Sequence, residues 1–198
     1  EALGFTPENV FIATWVDIDG DGWEDVVVNS GQIFRNLQGE KFKEITSQSN
    51  LMEVGDLQRL GAFTYHAVAD YDGDGRMDIY LFRVDSQPFK GTWIDGKVGH
   101  NAGNQLLRNK GGWQFEDVTK KTRTGGGMRS TFSSVWFDAN NDNRPDLYVI
   151  HEYGNGVLLI NKPNGTFEER ELADRAADFG SMGLASGDID NDGNIDLY

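Results

Sequence analysis

The stretch Asp17-Ile18-Asp19-Gly20-Asp21-Gly22-Trp23-Glu24-Asp25 places aspartate at positions 1, 3, 5 and 9 of a nine-residue frame and glycine at position 6. The frame returns as Asp70, Asp72, Asp74, Gly75, Asp78, then as Asp138, Asn140, Asp142, Asn143, Asp146, and again as Asp188, Asp190, Asp192, Gly193, Asp196. The four starts lie 53, 68 and 50 residues apart. Recurrence at such a period marks a repeat architecture, in which each copy is one supersecondary unit.

Outward from each frame the same elements follow in the same order. An apolar stretch comes first: Val26-Val27-Val28, Ile79-Tyr80-Leu81, Leu147-Tyr148-Val149 and Leu197-Tyr198. A segment ending in asparagine follows, Ile33 to Asn36, Leu106 to Asn109 and Leu158 to Asn161. After a turn comes an alternating segment, Lys41 to Thr46, Gln114 to Thr119 and Thr166 to Glu169. Asn164-Gly165 is a hairpin signal, which also accounts for the glycosylation-like Asn164-Gly165-Thr166. One more segment precedes each frame: Ile12 to Val16, Tyr65 to Ala69, Ser133 to Phe137 and Met182 to Gly187. Short runs rich in β-branched and aromatic residues, bounded by turn residues, read as strands.

Each unit is therefore four short antiparallel strands with the acidic loop between the first and second. Four-stranded units at this period predict an all-β fold, a β-propeller. A β-sandwich is the other fold that such alternation permits. The units span approximately 11–46, 64–119, 133–171 and 182–198 within a single partial propeller over 1–198. The last unit reaches only its second strand, so about three and a half blades are expected here, with the remainder supplied from elsewhere.

The loops suit calcium. Ca²⁺ takes about 6–8 oxygen ligands, and carboxylates at alternate positions wrap an ion where the chain turns sharply. Glycine at position 6 permits that turn, and asparagine at 143 tolerates left-handed geometry. The expected ligands are Asp17, Asp19, Asp21, the Trp23 carbonyl and Asp25; Asp70, Asp72, Asp74, the Arg76 carbonyl and Asp78; Asp138, Asn140, Asp142, the Arg144 carbonyl and Asp146; and Asp188, Asp190, Asp192, the Asn194 carbonyl and Asp196. Up to four Ca²⁺ are expected, one per loop. An EF-hand would need glutamate at position 12 and flanking helices. Position 12 is Val28, Leu81 or Val149, and the flanks are strands. Mg²⁺ prefers fewer protein ligands and more waters. Because Asn140 contributes no charge, the third loop is expected to bind most weakly.

These residues resemble the FG-GAP or VCBS repeat family. Phe137-Asp138 through Tyr148, and Leu107-Arg108-Asn109-Lys110-Gly111-Gly112 through Asp117-Val118-Thr119, look like repeats of bacterial surface proteins and of the cartilage acidic protein group. The resemblance implies a β-propeller, often seven-bladed and similar to the integrin α-subunit head, with calcium between the first two strands of a blade. It departs from the pattern at Asn140 and Asn143. The family is mostly adhesive or scaffolding, and similar propellers occur in polysaccharide lyases and phospholipases.

Charge narrows the partners. The net charge is −14, and fifteen of the 32 acidic residues are aspartates of the four frames. Clustered Lys and Arg would be needed to grip nucleic acid. No cysteine is present, which removes disulfides and thiolate chemistry. No apolar run approaches the ~20 residues of a membrane helix, and no signal peptide is visible at the N-terminus.

Catalysis finds little footing. His66, His100 and His151 form no repeated pattern with a nucleophile, and Ser133, Ser134 and Ser181 have no acid–base partner at a recognisable spacing. The second unit carries an insertion, about Asp85 to Gly103, holding Phe89, Trp93, Asp95, Lys97 and His100. Loops of this kind bind ligands, and the same aromatics equally suit packing on their own blade. Gly125-Gly126-Gly127 reads as a flexible connection between blades. The expected function is a calcium-stabilised extracellular, cell-surface or periplasmic module for binding, adhesion or assembly, with a protein, carbohydrate or further subunit as partner. The alternative is the propeller portion of a carbohydrate-active enzyme, a lyase or hydrolase.

Overall fold

The structure is a computed structural model that describes residues 3–7, 10–57, 62–85, 103–127, 130–151, 155–171 and 183–198. Its strands are β1 (Ala13–Val16), β2 (Asp25–Val28), β3 (Ile33–Leu37), β4 (Lys41–Glu44), β5 (Ala62–Ala69), β6 (Asp78–Asp85), β7 (Gln105–Asn109), β8 (Phe115–Asp117), β9 (Thr131–Phe137), β10 (Asp146–His151), β11 (Val157–Asn161), β12 (Phe167–Glu171), β13 (Ser186–Gly187) and β14 (Asp196–Leu197). They form three four-stranded sheets, β1-β2-β3-β4, β5-β6-β7-β8 and β9-β10-β11-β12, and a two-stranded sheet, β13-β14. Every pairing is antiparallel between sequence neighbours. The fold is thus predominantly β, made of meanders of the kind that form propeller blades.

The apolar triplets of the second strands explain how the sheets stack. A strand that is apolar at every position needs cover on both faces, because alternate side chains point to opposite sides. Ile79 and Leu81 face the first sheet, packing with Val16, Ile18, Val27 and Ile33. Tyr80 and Phe82 face the third sheet, packing with Leu147, Val149, Val157 and Leu159. On the first sheet, Val26, Val28 and Phe34 turn the other way and are covered by Phe5 and Phe42. The fourth strands are polar where they meet solvent, as Lys41 and Lys43 beside Glu44 show, which blunts an edge.

Two short helices interrupt what the sequence pattern alone suggests. The chain leaves β4 through a 3₁₀ turn at Thr46–Gln48 and α1 (Leu51–Val54), and leaves β8 through α2 (Thr119–Thr122). Thr46 and Thr119, expected at strand ends, instead begin these turns. Their hydroxyls accept from the amides of Ile33 and Leu106, tying each turn to the third strand of its own sheet. Leu51 inserts fully buried into the core between the first two sheets. Gly125–Gly127 follows α2, and Gly125 accepts a hydrogen bond from the Asn104 amide.

The repeated asparagine that ends each third strand is a latch between sheets. The Asn109 amide group donates to Met77 O in its own sheet and to Ile18 O in the first loop, at 3.1 and 2.9 Å. Asn161 repeats this one sheet later, donating to Pro145 O and to Tyr71 O at 3.1 and 2.8 Å. Asn36 donates to Glu24 O within its own sheet.

Candidate metal centres

Each acidic loop is a built turn. The position-1 carboxylate accepts from the amides at positions 5 and 6: Asp17 from Asp21 and Gly22, Asp70 from Asp74 and Gly75, Asp138 from Asp142 and Asn143, Asp188 from Asp192 and Gly193. Position 6 is left-handed throughout, with φ of +89° at Gly22, +83° at Gly75, +63° at Asn143 and +88° at Gly193. Asn143 therefore does the work of glycine, as expected. Position 4 is left-handed too, at Gly20, Gly73, Asn141 and Asn191. Sequence reasoning missed it, although the Gly/Asn restriction at position 4 was a visible signal.

The position-9 aspartate begins the second strand and is buried in the three complete sheets. Both of its oxygens are engaged. Asp25 accepts from the amides of Ile18 and Asn36, Asp78 from Tyr71 and Asn109, and Asp146 from Ala139 and Asn161. The residue thus joins the loop to the second and third strands. Burial raises the Asp25 carboxyl to about 6 and the Asp78 carboxyl to about 7, against the opposing pull of those amides and with help from nearby aspartates. Asp146 is also raised by burial.

Three loops bring carboxylates together: Asp17, Asp19 and Asp25; Asp70, Asp72 and Asp78; Asp188, Asp190 and Asp196. Within each set, one oxygen per residue lies within 4.8 Å of the others. Oxygens that share a cation at about 2.4 Å can be no more than ~4.8 Å apart, so each set can chelate a divalent ion. One atom shows the fit directly: Asp19 Oδ1 is buried and has no hydrogen-bond partner. The third loop has Asp138 and Asp146 with Asn140 between them and does not assemble three carboxylates.

The position-5 aspartates stand outside these sets. Asp21, Asp74, Asp142 and Asp192 each accept the amide of position 7 from Trp23, Arg76, Arg144 and Asn194. Their second oxygens mostly meet arginine. Arg35, from β3, lies 2.7 Å from Asp19 Oδ2 and 3.0 Å from Asp21 Oδ2. Arg108, from β7, lies 2.6 Å from Asp72 Oδ2 and 2.8 Å from Asp74 Oδ2. Arg76 pairs with Asp74, and Arg144 with Asp142. The Arg76 and Arg144 guanidinium groups also donate to Asn109 O and Asn161 O.

Other singled-out residues lie apart from the loops. His66 and His151 are buried strand residues. Burial lowers His66 to about 4. Its Nδ1 sits 3.5 Å from Thr14 Oγ1, and His151 Nδ1 sits 3.2 Å from Thr131 Oγ1. Phe89, Trp93, Asp95, Lys97, His100 and Ser181 fall outside the described residues. Among the described residues, no helix is long and apolar enough to cross a membrane.

Among curated proteins, none matches the chain. The FG-GAP-like repeat matches it over residues 17–81 and 138–198, more than half its length, and both segments begin at the first aspartate of an acidic loop. By this match the chain belongs to the FG-GAP-like repeat family.

Proposed function

We propose that the acidic loops bind calcium and that the chain is part of a closed β-propeller, seven-bladed by its resemblance, serving as a binding, adhesion or assembly module outside the cytosol. The observation that carries this reading is the convergence of three carboxylates in each of three loops, with a buried, unshared oxygen on Asp19. All the candidate side-chain ligands are hard oxygens, which suit Ca²⁺. Positions 1, 3 and 9 would hold the ion, which would supply positive charge where buried carboxylates crowd. Each loop joins the first two strands of its sheet, so the ion is a structural clasp. The repeating modules in this reading are the units 11–46, 64–119, 133–171 and 182–198.

Location follows from affinity. Extracellular calcium modules bind with dissociation constants of about 10⁻⁴–10⁻³ M. At about 1 mM calcium each such site adds roughly 0.4–1.4 kcal/mol to stability, and at cytosolic levels almost none. The partner is a protein, a carbohydrate or another subunit. Thermal unfolding with calcium, with magnesium and with a chelator tests the metal reading. Chelation is expected to lower the melting temperature and calcium, not magnesium, to restore it. Identical melting in all three conditions refutes it.

A further inference from the structure

We infer that Arg35 and Arg108 are resident counter-charges of the first and second loops, which share carboxylates with the bound cation and grade its affinity from loop to loop. The inference rests on the calcium reading above. Both arginines occupy one position, the residue before the latch asparagine on the third strand. Each guanidinium reaches Oδ2 of the position-3 aspartate and Oδ2 of the position-5 aspartate. On Asp19 the other oxygen, Oδ1, is left buried and unshared. One carboxylate can therefore serve the arginine with one oxygen and a cation with the other. Arg35 is further held by Trp113 of the turn between β7 and β8, whose ring lies 5.8 Å from its guanidinium carbon.

The third sheet supplies an internal comparison. There the equivalent residue is Ile160, buried and uncharged, and position 3 of its loop is Asn140. Among the three loops whose third strand is described, the two with a position-3 carboxylate have an arginine there, and the one without it has none. Counting the arginines in contact changes the electrostatic ranking. In the first loop four carboxylates and one guanidinium leave three negative charges. In the second, four carboxylates and two guanidinium groups, Arg76 and Arg108, leave two. In the third, three carboxylates and Arg144 also leave two. In net charge alone Asn140 therefore does not set the third loop below the second, although only the second brings three carboxylates together. In net charge the second and third are alike, and the first exceeds both.

The magnitude is measurable. A unit positive charge about 6 Å from a divalent ion, even in a water-like dielectric, weakens binding by about tenfold. Each loop has its own reporter, because the position-6 amides of Gly22, Gly75 and Asn143 donate to the position-1 carboxylates at 2.8, 2.8 and 2.7 Å. A calcium titration followed by the NMR resonances of these three amides resolves the loops. In the unmodified protein Gly22 is expected to titrate at lower calcium than Gly75, and Asn143, in the loop that does not assemble three carboxylates, at higher calcium than Gly75. Arg108→Gln is expected to tighten the Gly75 midpoint by about tenfold and leave Asn143 in place. Arg108→Lys, which keeps the charge, is expected to move it little. Arg35→Gln, read at Gly22, is the second variant should Arg108→Gln fail to fold. An unchanged or weakened Gly75 midpoint in folded Arg108→Gln overturns the inference while the calcium reading stands. No calcium-dependent shift at any loop of the unmodified protein overturns both.

Discussion

Asn109→Ala removes the side chain that fastens the second sheet to the first. Asn109 is fully buried. Its amide group donates to Ile18 O and Met77 O, and its Oδ1 accepts from the Gly111 amide at 2.9 Å. Three hydrogen bonds at about 1 kcal/mol each give a loss of ~3 kcal/mol, and more if the carbonyls are left dry. For a domain of this size that corresponds to a fall in melting temperature of about 6–12 °C. Asn36→Ala is the control. Asn36 makes the bond within its own sheet to Glu24 O and accepts from Gly39, but among the described residues it reaches no neighbouring sheet. Its loss should be nearer ~2 kcal/mol. Urea unfolding of both variants at saturating calcium measures the difference. Ile18 stands between Asp17 and Asp19, so Asn109→Ala, though it alters the second sheet, should also weaken calcium binding at the first loop as read at the Gly22 amide. An Asn109→Ala variant no less stable than Asn36→Ala, with unchanged binding at the first loop, refutes the latch.

Asp19→Ala should lower the calcium-loaded melting temperature by more than Asp95→Ala, and the gap should close in chelator; differential scanning calorimetry checks both. Gly75→Ala meets no atom within 4 Å but sits at φ +83°, so it should cost about 1–2 kcal/mol through backbone strain alone, measurable by chemical denaturation. His66 is depressed to about 4 in the fold from 6.5. Between those values the unfolded chain takes up the proton and the folded one does not, so its contribution to stability is lost as pH falls from 6.5 towards 4. Relative to His66→Gln, the unmodified protein should lose about 2 kcal/mol between pH 7 and 4.5; parallel stability–pH curves would contradict this.

The acidic frame was legible because its information is local. Aspartates at positions 1, 3 and 9 meet within nine residues, and the left-handed turn between them needs only Gly or Asn. The apolar triplets were legible as strands, but that both their faces are covered, and by which neighbours, came from the packing of the sheets. The turns at Thr46 and Thr119 were less legible, because a threonine at a strand end and one that begins the next turn look alike in sequence.

What the sequence by itself determined is the repeating module: four short strands, an acidic turn between the first and second, and the residue types that can hold a cation there. Tertiary structure decided how the modules engage. The latch asparagines were visible as a repeat, but Ile18 and Tyr71, which they grip, lie 91 and 90 residues away in the chain. Arg35 and Arg108 looked like ordinary strand residues until folding carried them onto the loop carboxylates. Chain-local spacing specifies which charges a loop owns. Only the packing of one strand against another specifies which opposite charges it meets, and a cation responds to the sum.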